Sequence, residues 1–322
     1  MSLLRPDRRH GFRRTHSGPE HVTILMATRD GGRTIDAQMQ SFAGQSHDDW
    51  SLIVSDDGST DDTLVRVGEF SDRYPDRRVT RLKGPKEGSA MNFLSLLRAA
   101  GDSPFVAFSD QDDVWLPDRL ARGLAALRDI TGPAIYGSRT IIVDDDMTPL
   151  RLSPDFSKPP GFGNALVQNI AGGNTMLLNR AALDCLQPSS SKVRRLIAHD
   201  WWAYQALTAI GGHMIWDSVP TVLYRQHGKN QIGANDTLRA SAHRAVRLFS
   251  GEFSEWCSVQ AQALAPLRDE MTPEAKAQFK AFEAVRSRRL SERFAAFANA
   301  GLYRQSARGT FALCCAVALG RL

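Results

Sequence analysis

Cysteine is scarce in this chain of 322 residues, with only Cys185, Cys257, Cys314 and Cys315. All four lie late in the chain, none has metal-ligand spacing, and adjacent Cys314 and Cys315 are poorly placed to bond each other. This predicts reduced thiols and a cytoplasmic setting, not a disulfide or zinc framework. Long apolar runs are missing as well. None precedes the first strand-like segment, which argues against a secretory leader. The one late apolar stretch, 310–319 (TFALCCAVAL), is about half of the roughly 20 residues a membrane-crossing helix needs. No internal repeat or low-complexity tract occurs. Charge of one sign is also weak: a net +5 suits nucleotide diphosphates or acidic lipid surfaces without selecting either, and no nucleic acid partner is expected.

What is present is the composition of an ordinary globular protein, 42% hydrophobic and 23% charged, long enough to bury a large core. Short β-rich runs at 22–27, 51–55 and 105–109 alternate with amphipathic stretches at about 33–43, 60–74 and 89–100. That alternation predicts βαβ units around a mainly parallel sheet, an α/β fold. A further helix is expected from Pro117, strands at 140–143, 175–178 and 219–225, and a helix at about 200–210. The Pro- and Gly-rich stretch 153–163 reads as a connector between a nucleotide half and an acceptor half. Beyond about residue 235 only helical signals remain, punctuated by Pro266 and Pro273. Three parts follow: a flexible basic tail over 1–20, carrying Arg5, Arg8, Arg9, Arg13 and Arg14, an α/β domain over 21–234, and a helical region over 235–322.

Ligands of open α/β sheets sit beyond the carboxyl ends of the strands. Three polar clusters fall there: Thr28-Arg29-Asp30, Asp56-Asp57-Gly58-Ser59 and Asp110-Gln111-Asp112-Asp113. Gathered carboxylates repel one another unless a cation or a donor-rich ligand sits among them. Asp56 or Asp57 could accept bonds from a base N–H or a ribose hydroxyl, and Asp110-x-Asp112 could bind Mg²⁺ or Mn²⁺, hard cations that also bridge phosphates. Each cluster alone is also a common turn or cap. Their conjunction at one sheet edge points to a nucleotide and metal site.

The ordered segments VTILMATRDGGRTI, LIVSDDGSTDDT, KEGSAMNFLSLL, FVAFSDQDDVWLPDRL, NIAGGNTMLLNRAAL, AHDWW and YRQHGKN resemble the family 2 glycosyltransferases of the GT-A fold. The likeness runs from about residue 22 to 233. SDQDDVW and YRQHGKN look most like the branch holding bacterial rhamnosyltransferases of polysaccharide assembly. The resemblance implies that Thr28 and Asp30 lie under the nucleotide and that Asp57, or its neighbour Asp56, reads the pyrimidine. It also implies that Asp110 and Asp112 form the metal and ribose motif, with Asp112 on the metal, and that Asp200 is the catalytic base. The family more often has Glu-Asp at that last site, so His199 is a departure that leaves a single carboxylate.

The implied chemistry is coherent. A carboxylate takes the acceptor hydroxyl's proton as the new bond forms, and attack opposite the leaving group inverts the anomeric carbon. A divalent cation neutralises the departing diphosphate. Arg225, His227 or Lys229 could add donors to the diphosphate, with His227 also a candidate metal ligand. Gly173 and Asn174 lie in a loop open to an acceptor, while Trp201, Trp202 and Trp115 could stack on sugar or fill the core. Gly88, Ser89 and Asn92 open a helix whose amides could face phosphate. The expected partners are a nucleotide-sugar donor and a saccharide or lipid-linked acceptor. Stretch 310–319, between Arg308 and Arg321, could touch a membrane surface, pack in a homo-oligomer or close the core. Two other readings stay open: a nucleotidyltransferase, for which Arg29-Asp30-Gly31-Gly32-Arg33 is a poor match, and a non-catalytic nucleotide-sugar-binding module, against which the retained Asp200 argues.

Overall fold

Strand β1, Val22–Thr28, is buried along almost its whole length, as a central strand covered on both faces must be. The computed structural model describes residues 18–226, 251–285, 287 and 289–322. Around β1 lie β2 (Trp50–Asp56), β3 (Val79–Lys83) and β4 (Phe105–Ser109), all parallel in the order β3-β2-β1-β4. Helices α1 (Ile35–Ala43), α2 (Thr63–Arg73) and α3 (Ser89–Ala99) make the crossovers. The chain continues through β5 (Val114–Trp115), α4 (Arg119–Leu127), β6 (Ala134–Val143), β7 (Pro149–Leu152) and α5 (Phe162–Ala165). It then forms β8 (Leu177–Asn179), α6 (Arg180–Ser190), α7 (His199–Ala209) and β9 (His213–Arg225). The sheet runs β3-β2-β1-β4-β8-β6-β9-β5, with β7 on β6. Strand β8 is antiparallel to both β4 and β6, which makes the sheet mixed but mainly parallel.

Alternation along β1 divides the core between the two faces of the sheet. Val22, Ile24 and Met26 join Met39 and Phe42 of α1, Phe70 of α2 and Leu124 of α4. Leu25 points the other way, into a larger cluster with Phe93 of α3, Leu183 of α6 and Trp202 of α7. That second cluster continues into helices α8 (Glu252–Ala263), α9 (Pro273–Ala284), α10 (Leu290–Asn299) and α11 (Ala307–Ala318). Cys257, Leu264, Phe279, Phe282, Leu313 and Val317 all belong to it, so these helices share the sheet's core.

The expected βαβ order is borne out, and Pro273 does open a helix, capped by the Thr272 side chain accepting from the Ala275 amide. Pro266 sits in a short 3₁₀ turn, Ala265–Leu267. Several strands exceed expectation: β5 and β7 were not anticipated, and β9 begins six residues before the expected 219. β3 was not anticipated because its sequence, VTRLK, is that of a largely exposed edge strand. β6 begins six residues before the expected 140, because Gly137 interrupts the apolar pattern. A Cβ there would lie 2.6 Å from that of Ala171 and 2.7 Å from Cε of Met214, so close packing requires the glycine. The 310–319 stretch lies mainly in α11. Leu313 and Val317 are buried, whereas Phe311 and Leu319 are 72% and 63% exposed.

Candidate active site

Parallel register brings Thr28 opposite Asp56, so the first two polar clusters leave the same sheet edge side by side. The Thr28 hydroxyl donates to Asp56 Oδ1 at 3.0 Å, and Asp56 Oδ2 accepts from the amides of Gly58 (3.1 Å) and Ser59 (2.9 Å). Asp56 therefore shapes the turn. The Asp30 amide donates to Ser59 Oγ at 2.9 Å, and its carboxylate accepts from the Thr60 amide at 2.8 Å, pinning the β1 loop to the β2 loop. Asp57 accepts from the amides of Lys86 (2.6 Å) and Gly88 (3.1 Å), which anchors the loop before α3. Asp30 and Lys86 both have positive φ, 48° and 61°, at this edge. Asn92 is tied to the end of β2: its amide donates to Ser55 O and its carbonyl accepts from the Ser55 hydroxyl.

The third cluster follows β4. Gln111 pairs with the Arg29 backbone twice, at 2.9 Å each, tying this loop to the β1 loop. Asp113 is fully buried and accepts from the Arg225 amide (3.1 Å) and from Asn174 Nδ2 (2.5 Å). Arg225 donates from Nε to Asp112 O at 2.9 Å and from Nη1 to Asp145 O. Packed protein, then the carboxylates of Asp112 and Asp200, push the Asp110 carboxyl up to about 8. Burial, with Asp112 and Asp110 beside it, raises Asp113 well above the carboxylate range too. Asp112 and Asp200 therefore both lie close enough to act on Asp110.

Asp200 lies in the first turn of α7. Its Oδ2 accepts from the Gly173 amide at 2.9 Å and its Oδ1 from its neighbour Trp201 N at 2.7 Å. His199 turns inward and stacks on Phe93, centroids 3.8 Å apart, with Phe108 edge-on. Burial lowers it to about 4, against the opposing pull of Asp200, so the ring is neutral near pH 7. A Cβ on Gly173 would come within 2.4 Å of His199 Nε2, so a close backbone approach requires glycine here.

Residues 23–186 match the family model described as glycosyl transferase family 2. The chain belongs to that family. It is 27% identical over 226 residues to the dTDP-rhamnosyl transferase RfbG of Shigella flexneri, covering 68% of this chain and 77% of that one. It is also 27% identical over 164 residues to WfgD of Escherichia coli, a UDP-Glc:α-D-GlcNAc-diphosphoundecaprenol β-1,3-glucosyltransferase, covering 51% of this chain and 62% of that enzyme. Among solved structures, S. aureus TarS 1–349 in complex with UDP-GlcNAc matches with a TM-score of 0.52 at 14% identity, over 87% of this chain and 89% of that one. The fold is GT-A, and the resemblance read from the motifs to the rhamnosyltransferase-like branch holds.

Within this family 2 glycosyltransferase several expected residues have other partners. Trp201 is a correction: it is 5% exposed, its indole donates to Ala165 O at 2.7 Å and its ring stacks with Phe253, so it fills the core instead of offering a sugar platform. Trp202 and Trp115 are likewise buried. Asn174 faces Asp113, and the Arg225 guanidinium clamps backbone carbonyls. His227 and Lys229 lie outside the described residues. Among the described residues, no three His, Cys, Asp or Glu side chains form a ready-made metal cage. The donor set is of the kind a hard cation takes, carboxylate oxygens on Asp110 and Asp112, and a divalent ion beside them would offset the repulsion that adds to burial in raising Asp110.

Two residues were overlooked in the sequence. Gln111 imitates a backbone, and nothing in its motif signals that. Arg119 is 1% exposed, donates to Asn174 O (3.1 and 2.9 Å), Phe108 O and Met176 O, and lies 3.5 Å from the Trp115 ring centroid. Burial brings its guanidinium down to about 9. The available signal was an arginine on the apolar stripe that Leu120, Leu124 and Leu127 define in α4.

Proposed function

We propose that this glycosyltransferase is inverting and divalent-cation dependent, with Asp200 as its base and a dTDP- or UDP-sugar as its donor. The observation that carries the reading is where the fold holds Asp200. Asp200, held at the start of α7 by the Gly173 amide, lies near enough to raise Asp110, beside the donor-end carboxylates. The relatives acting with dTDP-rhamnose and UDP-glucose support a pyrimidine nucleotide. A divalent cation held by Asp112, with Asp110 beside it and diphosphate oxygens completing its shell, would neutralise charge on the departing nucleoside diphosphate. Asp200 takes the acceptor hydroxyl's proton while its oxygen attacks the anomeric carbon opposite the leaving group. One C–O bond forms, the sugar–phosphate C–O bond breaks, and the configuration inverts. Thr28, Asp30, Asp56 and Asp57 shape the nucleotide end, and Arg225, His227, Lys229, Gly173 and Asn174 are kept as candidates around diphosphate and acceptor.

The acceptor is a hydroxyl of a saccharide or lipid-linked saccharide in cell-envelope polysaccharide synthesis, as the WfgD likeness supports. The same reading divides the chain into a basic tail (1–20), a catalytic domain (21–234) and a helical region (235–322). Among the described residues no helix is long and apolar enough to cross a membrane. Exposed Phe311 and Leu319, near Arg308 and Arg321, support peripheral contact with the inner face of the membrane, or a second copy on that face. A thermal-shift panel of dTDP-rhamnose, UDP-glucose and a GDP-sugar with Mn²⁺ tests the donor assignment. A shift confined to the pyrimidine sugars supports it, and a response to the GDP-sugar alone overturns it.

A further inference from the structure

The fully buried Asp113 carboxylate takes no part in the chemistry above, although it adjoins the residues that do. Burying a carboxylate is costly, and a well-packed apolar side chain would fill the space more cheaply. What Asp113 does is join three elements. It accepts from Arg225 N of β9 (3.1 Å) and from Asn174 Nδ2 of the turn before β8 (2.5 Å). The carbonyl of Asn174 in turn accepts twice from buried Arg119. Asn174 is thus held at both its side chain and its backbone, and is 4% exposed. One residue earlier, the Gly173 amide donates to Asp200 Oδ2 at 2.9 Å. A continuous strut runs from the loop after β4 to the start of α7.

We propose that Asp113 and Asn174 are positioning residues that hold the Gly173 amide on Asp200, fixing the carboxylate relative to the donor-end loop. This rests on Asp200 being the base. Gly172 and Gly173 bring no side chains of their own to fix the amide, so its place depends on neighbours such as Asn174 and Thr175, whose hydroxyl donates to Gly172 O at 2.9 Å. The clamp on Asn174 supplies the missing rigidity, and orientation of a base is worth rate only when it is rigid. Asn174, expected to face the acceptor, acts from behind the site.

Two measurements decide it. In the first, without any ligand, hydrogen exchange by mass spectrometry follows the peptide containing Gly173 in wild type, Asn174→Ala and Asp113→Asn. Asparagine at 113 keeps the shape but leaves one of two donors without an acceptor, so it carries the test if the alanine variant folds poorly. Exchange at Gly173 should rise at least ~10-fold while β1 and β2 peptides stay unchanged; unaltered exchange overturns the strut. In the second, nucleoside diphosphate release from dTDP-rhamnose and UDP-glucose with Mn²⁺ is compared for Asn174→Ala, Asp200→Asn and the double variant. Asn174→Ala should lower kcat ~10- to 100-fold with donor KM within about twofold, and should cost nothing further in the Asp200→Asn background. Multiplicative losses in the double variant overturn the positioning role. An Asp200→Asn enzyme as fast as wild type, or no turnover of either sugar, instead sinks the proposed function, and the exchange arm still decides the strut.

Discussion

The carboxyl edge of the sheet and the C-terminal helices are built on opposite principles. At the edge, side chains are held by directed bonds: Asp30, Asp56, Asp57, Asp113 and Asp200 each accept at least one backbone amide. Burial there, with the carboxylates of Asp112 and Asp200 nearby, pushes Asp110 up to about 8. The helices rest mainly on apolar contacts, with Leu264, Leu267, Phe279, Phe282, Leu313 and Val317 merging into the core under α3 and α7. Directed bonds fix their register on it, among them Trp202 Nε1 to Ala263 O at 3.1 Å and Gln260 Nε2 to Ala198 O at 3.2 Å. The difference teaches where stability is gained and where it is given up. Crowded like charges are tolerated at a functional edge because buried apolar area elsewhere offsets them.

If that contrast is right, the largest effect comes from the charge at the edge. Chelator, or Asp112→Ala, should reduce turnover by ~1000-fold or more, on the several kcal/mol a cation contributes to a departing phosphate. Equal turnover in chelator would break the metal-dependent reading. Next in size is the helical side. Leu313→Ala should destabilise the whole fold by about 3 kcal/mol, since core leucines typically cost 2–5. A single cooperative transition monitored by sheet and helix signals would show one shared core, and an early separate transition of the helices would show two.

Asp200→Asn should retain folding and donor binding yet transfer at least ~100-fold more slowly, the usual scale for losing a general base. Normal transfer would move the base elsewhere. His199, stacked on Phe93 next to Asp200, has a smaller effect. It titrates near 6.5 when unfolded but near 4 in place, so the unfolded chain binds more protons between those values. Stability is therefore full above about pH 6.5 and falls as pH drops through that window, by about 2 kcal/mol at pH 5. Denaturant titrations of wild type and His199→Phe should diverge there; parallel curves refute it. The smallest effect is at the helices' outer face. Phe311→Ser with Leu319→Ser should abolish a weak co-sedimentation with anionic vesicles while leaving neutral-vesicle controls unchanged. If wild type does not sediment, the face is covered by a second copy or is bare, and sizing the two proteins separates these outcomes.

The alternation of β-runs with amphipathic stretches determined the central sheet, because burial on both faces demands unbroken apolar runs such as VTILMA. It likewise determined that three polar clusters leave one edge, since parallel strands all end on the same side. The family resemblance in the AHDWW motif also drew attention to Asp200, which the fold brings close to Asp110. Sequence did not reveal β3, whose edge position permits charged residues, nor the early half of β6, where Gly137 serves a contact with Ala171 that is remote in the chain. Nor could it assign Trp201: an indole at a helix start reads the same whether it faces sugar or core, and only the packing of α7 against Ala165 and Phe253 turns it inward. Above all, it could not say which carboxylates the fold ties to backbone amides. Along the chain nothing marks Asp57 and Asp113 as such residues. What marks them is which amides the fold brings within about 3.1 Å, a matter of long-range register that no local pattern encodes.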